Sequence, residues 1–122
     1  MKVIEFSFIA YPVTDIARSR KFYEEVLQLK PSSTFGGGDA NPHWIEYEVG
    51  PHTLGIGCHE AFKPSSDGPS LALEVENFDE AIEHLKKHGV TFHMGPMETP
   101  VCHMGMFKDP DGNVLTVHKR KA

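Results

Sequence analysis

Apolar and polar residues follow one another along this chain in two patterns, first that of a strand and then that of a helix. Residues 6–13 are largely apolar and strand-like, and Asp15 is placed to cap a helix that runs to Leu29. One face of that helix is predicted to pack against a sheet and carries Ile16, Ser19, Phe22, Tyr23, Val26 and Leu27. Three short strands are predicted to follow, over residues 33–35, 45–49 and 53–57. The pattern predicts a βαβββ module over residues 1–60.

The same order of patterns returns in the second half of the chain. Residues 71–75 alternate as in a half-buried strand, Asn77 is placed to cap a helix, and Gly89 is placed to end it. Three further strands are predicted, over residues 90–94, 102–108 and 114–118. We therefore predict a second βαβββ module over residues 70–120, with residues 61–69 as the connector.

Corresponding features of the two halves are separated by a nearly constant distance. Asp15 and Asn77 are 62 residues apart, and Gly55 and Thr116 are 61 residues apart. Two independent pairs with one period, close to half of the 122 residues, indicate a duplication. The predicted fold is α+β, a single domain of two βαβββ modules in tandem.

Composition and charge exclude several classes of protein. The chain is 39% hydrophobic and 24% charged, as in a globular domain, and its formal net charge of −5 disfavours a nucleic-acid partner. No apolar run is long enough for a signal peptide or a membrane span, so a cytoplasmic protein without membrane contact is expected. Cys58 and Cys102 are expected to be reduced thiols, and residues 118–121 to form a solvated basic tail.

Two motifs are similar to those of a known family. Residues 13–23 read VTDIARSRKFY, and residues 107–113 read FKDPDGN. They resemble the opening helix and the closing hairpin of the vicinal-oxygen-chelate superfamily, which includes glyoxalases, bleomycin-resistance proteins and dioxygenases. The resemblance covers essentially the whole chain. It implies a glyoxalase/bleomycin-resistance/dihydroxybiphenyl-dioxygenase-like fold, a cavity between the modules and a homodimer.

The resemblance also identifies the positions at which relatives hold a divalent metal. Those positions are Phe8, Gly55, Ser70 and Thr116, and none carries an imidazole or a carboxylate. Phenylalanine and glycine offer no ligand atom, and lone hydroxyls are poor ligands at neutral pH. We therefore expect no metal at these positions and no other cofactor, which disfavours the family's metal-dependent chemistry. Whether the protein is an enzyme stays open.

A second set of potential metal ligands lies near the C-terminus. His93, Cys102 and His103 stand among methionines, and such soft ligands suit copper or zinc. Their spacing matches no recognised metal motif, and adjacent residues such as Cys102 and His103 point to opposite faces of a strand. Packing is the favoured interpretation of this cluster, and metal binding by it stays open.

The face of each sheet that would line the cavity follows from strand alternation. The predicted cavity-lining residues are Phe8, Trp44, Glu46, Gly55, Ser70, Met104, Met106, Thr116 and His118. Such a lining suits an apolar or aromatic small molecule with one or two orienting hydrogen bonds. Trp44 fits core or dimer-interface packing equally well, His118 fits the solvated tail, and the Glu46 carboxylate would need a partner on an apolar face.

Three functions remain after these considerations. The leading hypothesis is metal-independent binding of a small apolar or aromatic molecule in the cavity between the modules. The second is a lyase, isomerase or dioxygenase-type enzyme with relocated metal ligands or a Glu or His general base. The third is an interaction protein whose cavity is vestigial. The sequence does not identify the ligand.

Overall fold

The computed structural model of this protein describes residues 1–37 and 42–122. The chain divides into two compact units, Met1–Pro64 and Ser65–Ala122. Each unit is a four-stranded mixed sheet with helical structure packed on one face. Residues 38–41, within the glycine-rich stretch that begins at Gly36, lie outside the described residues.

The first unit contains four strands. Their bounds are β1 Ile9–Pro12, β2 Pro31–Phe35, β3 Trp44–Val49 and β4 His52–Gly57. The order in the sheet is β1-β4-β3-β2, with β1 parallel to β4 and the other pairs antiparallel. β1 is shorter than the predicted 6–13, because only Ile9–Pro12 find partners on β4.

The helical segment of the first unit changes its hydrogen-bond pattern midway. Helix α1 covers Ile16–Arg20, its Asp15 cap accepts the backbone N–H of Arg18 at 3.1 Å, and a π-helix follows over Lys21–Val26. The prediction of one helix to Leu29 was therefore wrong at its end. Gln28 adopts a left-handed backbone conformation (φ 59°), which a continuing helix does not allow.

One face of this sheet forms a buried core with the helical segment. The rings of Tyr23 and Tyr47 stack with centroids 6.1 Å apart, and both side chains are fully buried. The Tyr47 hydroxyl donates to Glu24 at 2.9 Å, and Glu24 also forms an ion pair with Arg20 at 2.7 Å. Burial, together with the hydrogen bond to Glu24, raises the pKa of Tyr47 well above its usual range.

The second unit repeats this topology. Its elements are β5 Leu71–Glu74, α2 Phe78–Lys87, β6 Phe92–Glu98, β7 Cys102–Lys108 and β8 Val114–Arg120. The order in the sheet is β5-β8-β7-β6, with β5 parallel to β8. Two predictions were wrong here. β6 lies further along the chain than 90–94, and β8 continues to Arg120, which pairs with Cys102, so residues 118–120 are strand and not tail.

The turns of the second unit follow the sequence signals. The Asn77 side chain accepts the backbone N–H of Glu80 at 3.1 Å, and Gly89 and Gly112 adopt left-handed conformations (φ 81° and 89°). In the β7–β8 hairpin the buried Asp109 carboxylate accepts both the backbone and the side-chain N–H of Asn113, at 2.9 and 2.8 Å.

The two parallel strand pairs have the same register. Ala10 is the partner of Gly55 in the first unit, and Ala72 is the partner of Thr116 in the second. The internal repeat of the sequence is therefore a repeat of backbone geometry. In the described part of the chain, neither helix is both long and apolar enough to cross a lipid bilayer.

Candidate functional site

Each sheet has a face without helical cover, which we call its open face. Residues that are partners on neighbouring strands project from the same side of a sheet. In the first unit Trp44 is the partner of Gly57 and Phe35, and Glu46 is the partner of Gly55. The opposite face carries the buried Tyr47 and its neighbours, so these residues belong to the first open face.

Trp44 lies flat against the central strand of the first open face. A methyl group added to Gly55 would stand 2.5 Å from Trp44 Cζ2, and one added to Gly57 would stand 2.6 Å from Cε3. Only glycine at both positions leaves room for the indole ring. The ring of Phe8 meets Trp44 edge-on, with centroids 5.8 Å apart and planes at 85°. The result is an aromatic corner formed by Phe8 and Trp44.

Glu46 fixes the orientation of this indole ring. The Trp44 Nε1–H donates to Glu46 Oε2 at 2.9 Å. This is the partner that a carboxylate on an apolar face requires, and it comes from the same strand, two residues away. The second carboxylate oxygen, Oε1, is left at the edge of the ring as a hydrogen-bond acceptor.

The aromatic corner faces outward in its unit. Trp44 and Glu46 are half-buried, whereas Phe8 is 52% and Phe35 55% exposed. Isolated apolar side chains on a surface need no explanation, but three aromatic rings beside one another form a patch. Among the residues predicted from the sequence, the structure places Phe8, Trp44, Glu46 and Gly55 together on this face.

The remaining predicted residues lie on the open face of the second unit. Ser70 and Thr116 are in contact, with their hydroxyl oxygens 2.6 Å apart. Each hydroxyl is satisfied by the other, and neither is a strong metal ligand. Among residues 1–37 and 42–122, no group of three or more His, Cys, Asp or Glu side chains is placed to hold a metal ion.

Strand alternation predicted His118 on the face that carries Thr116, with a solvated tail as the alternative. Its ring is on the second open face, and Nδ1 lies 2.6 Å from Glu74 Oε1. It is therefore a structured residue of β8 and not part of a solvated tail. The backbone N–H of Arg120 and the His118 ring together hold the pKa of Glu74 below its usual range.

Methionines cover the outer half of the same face. Met106 is the partner of Met94 and of Thr116, and Met104 is the partner of Met97 and of His118. Met104 and Met106 were predicted from the sequence, whereas Met94 and Met97 were assigned only to the neighbouring soft-ligand cluster. A bulge between Met94 and Met97 hides their common face from a period-two pattern.

The cluster of His93, Cys102 and His103 is not assembled as a metal site. The His103 ring packs against Phe78 of α2, at a centroid distance of 5.4 Å. Cys102 points to the other face, where its buried Sγ lies 3.2 Å from Thr99 Oγ1. The alternation of side chains along β7 separates the thiol from the imidazole, as predicted.

Two residues that matter to these faces were missed at the sequence level. Gly57 stands two positions from Gly55, and Glu74 stands four positions from Ser70, both of which were identified. The period-two rule would have placed each on its open face. Their roles depend on the partner strands, which the rule does not identify.

The sequence and the fold were compared with known proteins. Residues 5–117 match the Glyoxalase/Bleomycin resistance protein/Dioxygenase superfamily. An antibiotic binding protein from Streptomyces sp. CB03234 has the same fold, with a TM-score of 0.81, 23% identity and 99% of each chain covered.

Two proteins from mobile metagenomes are also similar. A cassette protein from the mobile metagenome of V. cholerae superposes with a TM-score of 0.74 at 26% identity, covering 98% of this chain and 97% of that one. A protein from the mobile metagenome of V. pseudocholerae gives a TM-score of 0.74 at 28% identity, covering 98% and 96%.

Proposed function

This chain belongs to the Glyoxalase/Bleomycin resistance protein/Dioxygenase superfamily, and we propose that it binds a flat aromatic or apolar small molecule on its first open face, without a divalent metal. The observation that carries this proposal is the indole of Trp44, which lies flat on Gly55 and Gly57 with Phe8 beside it. One face of the ring is used by the strand. The other is the surface on which a ligand would stack.

The energetics of such a contact favour an aromatic ligand. Offset or edge-on aromatic pairs contribute about 0.5–1.5 kcal/mol beyond the area they bury. The ring of Trp44 is already held by Glu46 at 2.9 Å, so little conformational freedom is lost when a ligand binds. A preorganised ring and a second aromatic wall make a better binding surface than mobile aliphatic side chains.

Glu46 supplies the polar contact that orients the ligand. Oε1 is the acceptor at the edge of the indole, so the proposed ligand carries an N–H or O–H donor at its rim. A mostly apolar surface with one convergent polar group is the usual composition of small-molecule sites. A ligand without this donor would bind more weakly and in several orientations.

The comparison with the Streptomyces protein supports this proposal. A protein described as antibiotic binding has the same fold over nearly its full length. Fold alone does not determine function. The side chains of the first open face are therefore the stronger support.

Independence from a divalent metal rests on the side chains at four positions. Phe8 and Gly55 have no ligand atom, and the hydroxyls of Ser70 and Thr116 bond to each other at 2.6 Å. A divalent ion at these positions would lack the imidazole or carboxylate donors it requires.

Binding can be tested with the single tryptophan as the reporter. Purified protein is screened against aromatic and aliphatic compounds by Trp44 fluorescence and by thermal shift, with and without chelator. A ligand at a hundred times its Kd stabilises the protein by about 2.7 kcal/mol. Ligands that quench Trp44 and bind equally well after chelator treatment are expected.

Variants then locate the site by calorimetry. Trp44→Ala is expected to weaken binding at least tenfold, Trp44→Phe to retain part of the affinity, and Glu46→Gln to weaken only ligands with a rim donor. Val101→Ala, at a loop residue that is 72% exposed, is the matched control. Equal affinities for Trp44→Ala and Val101→Ala would contradict the proposal, as would binding that requires a divalent ion.

We further propose that the protein is a homodimer in the cytoplasm. Val3, Ile4 and Phe6 are large apolar residues that are at least 73% exposed, which supports contact with a second copy. The free thiols of Cys58 and Cys102 suit a reducing compartment. Light scattering of wild type and Ile4→Ser/Phe6→Ser tests the dimer, and fractionation of the native host tests the compartment. A monomeric wild type or a periplasmic location would contradict these proposals.

A further inference from the structure

The second open face concentrates one type of side chain. Of the five methionines in the chain, all except Met1 lie on β6 and β7. The pairs Met94/Met106 and Met97/Met104 are strand partners, so all four project from one side of the sheet. No comparable group of thioethers occurs on the first open face as described, where the rings of Phe35 and Trp44 stand.

One row of partners runs across all four strands of this sheet. From β6 to β5 the row consists of Met97, Met104, His118 and Glu74. Side chains directly opposite one another have Cβ atoms about 4.5–5.5 Å apart. Met side chains have three rotatable bonds, so their sulfur atoms can turn toward a common point beside the His118 ring.

His118 is oriented as a ligand would be. Its Nδ1 lies 2.6 Å from the carboxylate of Glu74, which can only accept, so Nδ1 carries the hydrogen. The lone pair of the neutral ring is then on Nε2. Imidazoles that bind metals almost always donate their other N–H to a carboxylate or a carbonyl in this way. This second observation is independent of the methionines.

We propose that His118 Nε2 and the thioethers of Met104, Met97 and Met106 form a site for a soft monovalent metal ion, Cu(I) or Ag(I). Thioether sulfur selects soft ions, and imidazole suits copper, whereas Mg²⁺, Ca²⁺ and Mn²⁺ prefer oxygen. All the donors are neutral, and the single carboxylate behind His118 matches one positive charge. The site is separate from the Ser70–Thr116 hydroxyl pair.

The donors are accessible within their unit. Met97 is 42% and Met94 50% exposed, and the His118 side chain is about one-quarter exposed. The ion would bind at the surface of the sheet, where Met94 can complete the coordination. This inference does not depend on the proposed aromatic ligand, because Trp44 and Glu46 lie in the other unit.

Ag(I) is a suitable redox-inert form of this ligand. Protein with ¹³C-labelled methionine methyl groups is titrated with silver nitrate, and NMR follows each methyl signal. Shifts of Met97, Met104 and Met106 are expected, with saturation at one equivalent in protein carrying Cys58→Ala and Cys102→Ala, where thiolates no longer compete. Zn²⁺ and Mg²⁺ are expected to leave the methyl signals unchanged.

Variants of the donors then separate a built site from scattered sulfur atoms. In the cysteine-free protein, His118→Asn and Met104→Leu are each expected to weaken Ag(I) binding at least tenfold. His52→Asn, an exposed histidine of the other unit, is the matched control and is expected to retain full affinity. Met97→Leu, at an exposed position where folding is not at risk, is expected to weaken binding severalfold.

Two results would overturn the inference. The first is unchanged methionine methyl signals at saturating Ag(I). The second is equal Ag(I) affinity in His118→Asn, Met104→Leu and His52→Asn, all shown to be folded by circular dichroism. Absence of aromatic-ligand binding by the first unit would not affect either result. This inference and the proposed function can therefore fail separately.

Discussion

The two sheets share one backbone frame and differ most clearly in the open-face residues of their central strands. Gly55 and Gly57 in the first unit correspond to Thr116 and His118 in the second, because each pair lies in the same register against its neighbours. The central strand of the first unit has no side chains at these two positions, so the flat ring of Trp44 can lie on it. The central strand of the second unit places the side chains of Thr116 and His118 there instead. Side-chain size on the central strand therefore decides what the neighbouring strand can place on the face.

The strands next to the central ones, β3 and β7, also differ on the open face. Trp44 and Glu46 occupy the positions that Met104 and Met106 occupy in the second unit. A rigid ring with a carboxylate suits a flat organic ligand, whereas flexible thioethers beside an imidazole suit a soft ion. A duplicated module can thus acquire two different surfaces with few changes to its core.

The largest expected effect tests the side-chain tie across the β7–β8 turn, which has no counterpart in the β3–β4 turn of the first unit. The β3–β4 connection is only Gly50 and Pro51, whereas the β7–β8 turn is tied by the buried Asp109 carboxylate to Asn113. Asp109→Ala leaves buried N–H groups without an acceptor, and we expect a loss of about 3 kcal/mol in unfolding free energy. Urea denaturation measures it, with the exposed Asp67→Ala as control. Similar midpoints for both variants would show that the turn is not anchored in this way.

The next effect tests the absence of a side chain at Gly55 on the central strand β4. Gly55→Ala gives the first unit a Cβ like that of Thr116, and the Trp44 ring must move because the new atom would lie 2.5 Å from Cζ2. We expect about 1 kcal/mol of destabilisation, a red-shifted tryptophan emission and at least tenfold weaker ligand binding. Gly68→Ala, where the nearest atom is 3.9 Å away, is the control. An unchanged emission spectrum would mean that the ring does not rest on Gly55.

A smaller effect tests the helix-side core. Tyr47 corresponds to Phe107, which has no hydroxyl, and Tyr47→Phe removes the 2.9 Å bond to Glu24. We expect a loss of about 1 kcal/mol at neutral pH. The folded pKa of Tyr47 is raised, so its contribution is complete below the unfolded value of about 10 and is lost as the pH rises above it.

Denaturation at a series of alkaline pH values measures this difference. The stabilities of wild type and Tyr47→Phe should converge above pH 10. A constant difference across the pH range would contradict the assignment.

The smallest effect concerns Glu74. Its folded pKa is depressed by the backbone N–H of Arg120 and by His118, so its contribution is present above the unfolded value of about 4.3. It is lost as the pH falls through the folded pKa. Glu74→Gln is therefore expected to be slightly less stable at neutral pH and equal to wild type in strong acid. The corresponding Pro12 of the first unit offers no such dependence. A stability difference between wild type and Glu74→Gln that grows as the pH falls would contradict this prediction.

Local signals in the sequence were sufficient for most of the fold. The caps at Asp15 and Asn77, the helix end at Gly89 and the repeat of about 61 residues are local or regular signals in the sequence, and all are confirmed. Besides the bounds of β1 and β6, the errors are at Gln28, where the helix ends early, and in β8, which continues to Arg120. Both are decided by tertiary contacts, which override local preference.

The open faces were harder to predict than the elements. Alternation assigned Trp44 and Glu46 to one side, but the bond between them depends on rotamers that a sequence does not specify. The pairing of His118 with Glu74 was missed because it joins strands that are 44 residues apart. Contacts across a parallel pair require the register, and the register is known only from the structure.

The π-helix over Lys21–Val26 has a consequence for how the chain tolerates insertions and deletions. A wide turn holds one more residue than a regular turn, and here it places Glu24 within reach of both Arg20 and Tyr47. Deleting Glu24 would close the wide turn into a regular one, so the residues before and after it would keep their faces while the contacts with Arg20 and Tyr47 would be lost. The loss of one residue in this segment should therefore act through the Glu24 contacts and through the buried Phe22 and Tyr23, and less through the direction of the flanking helix.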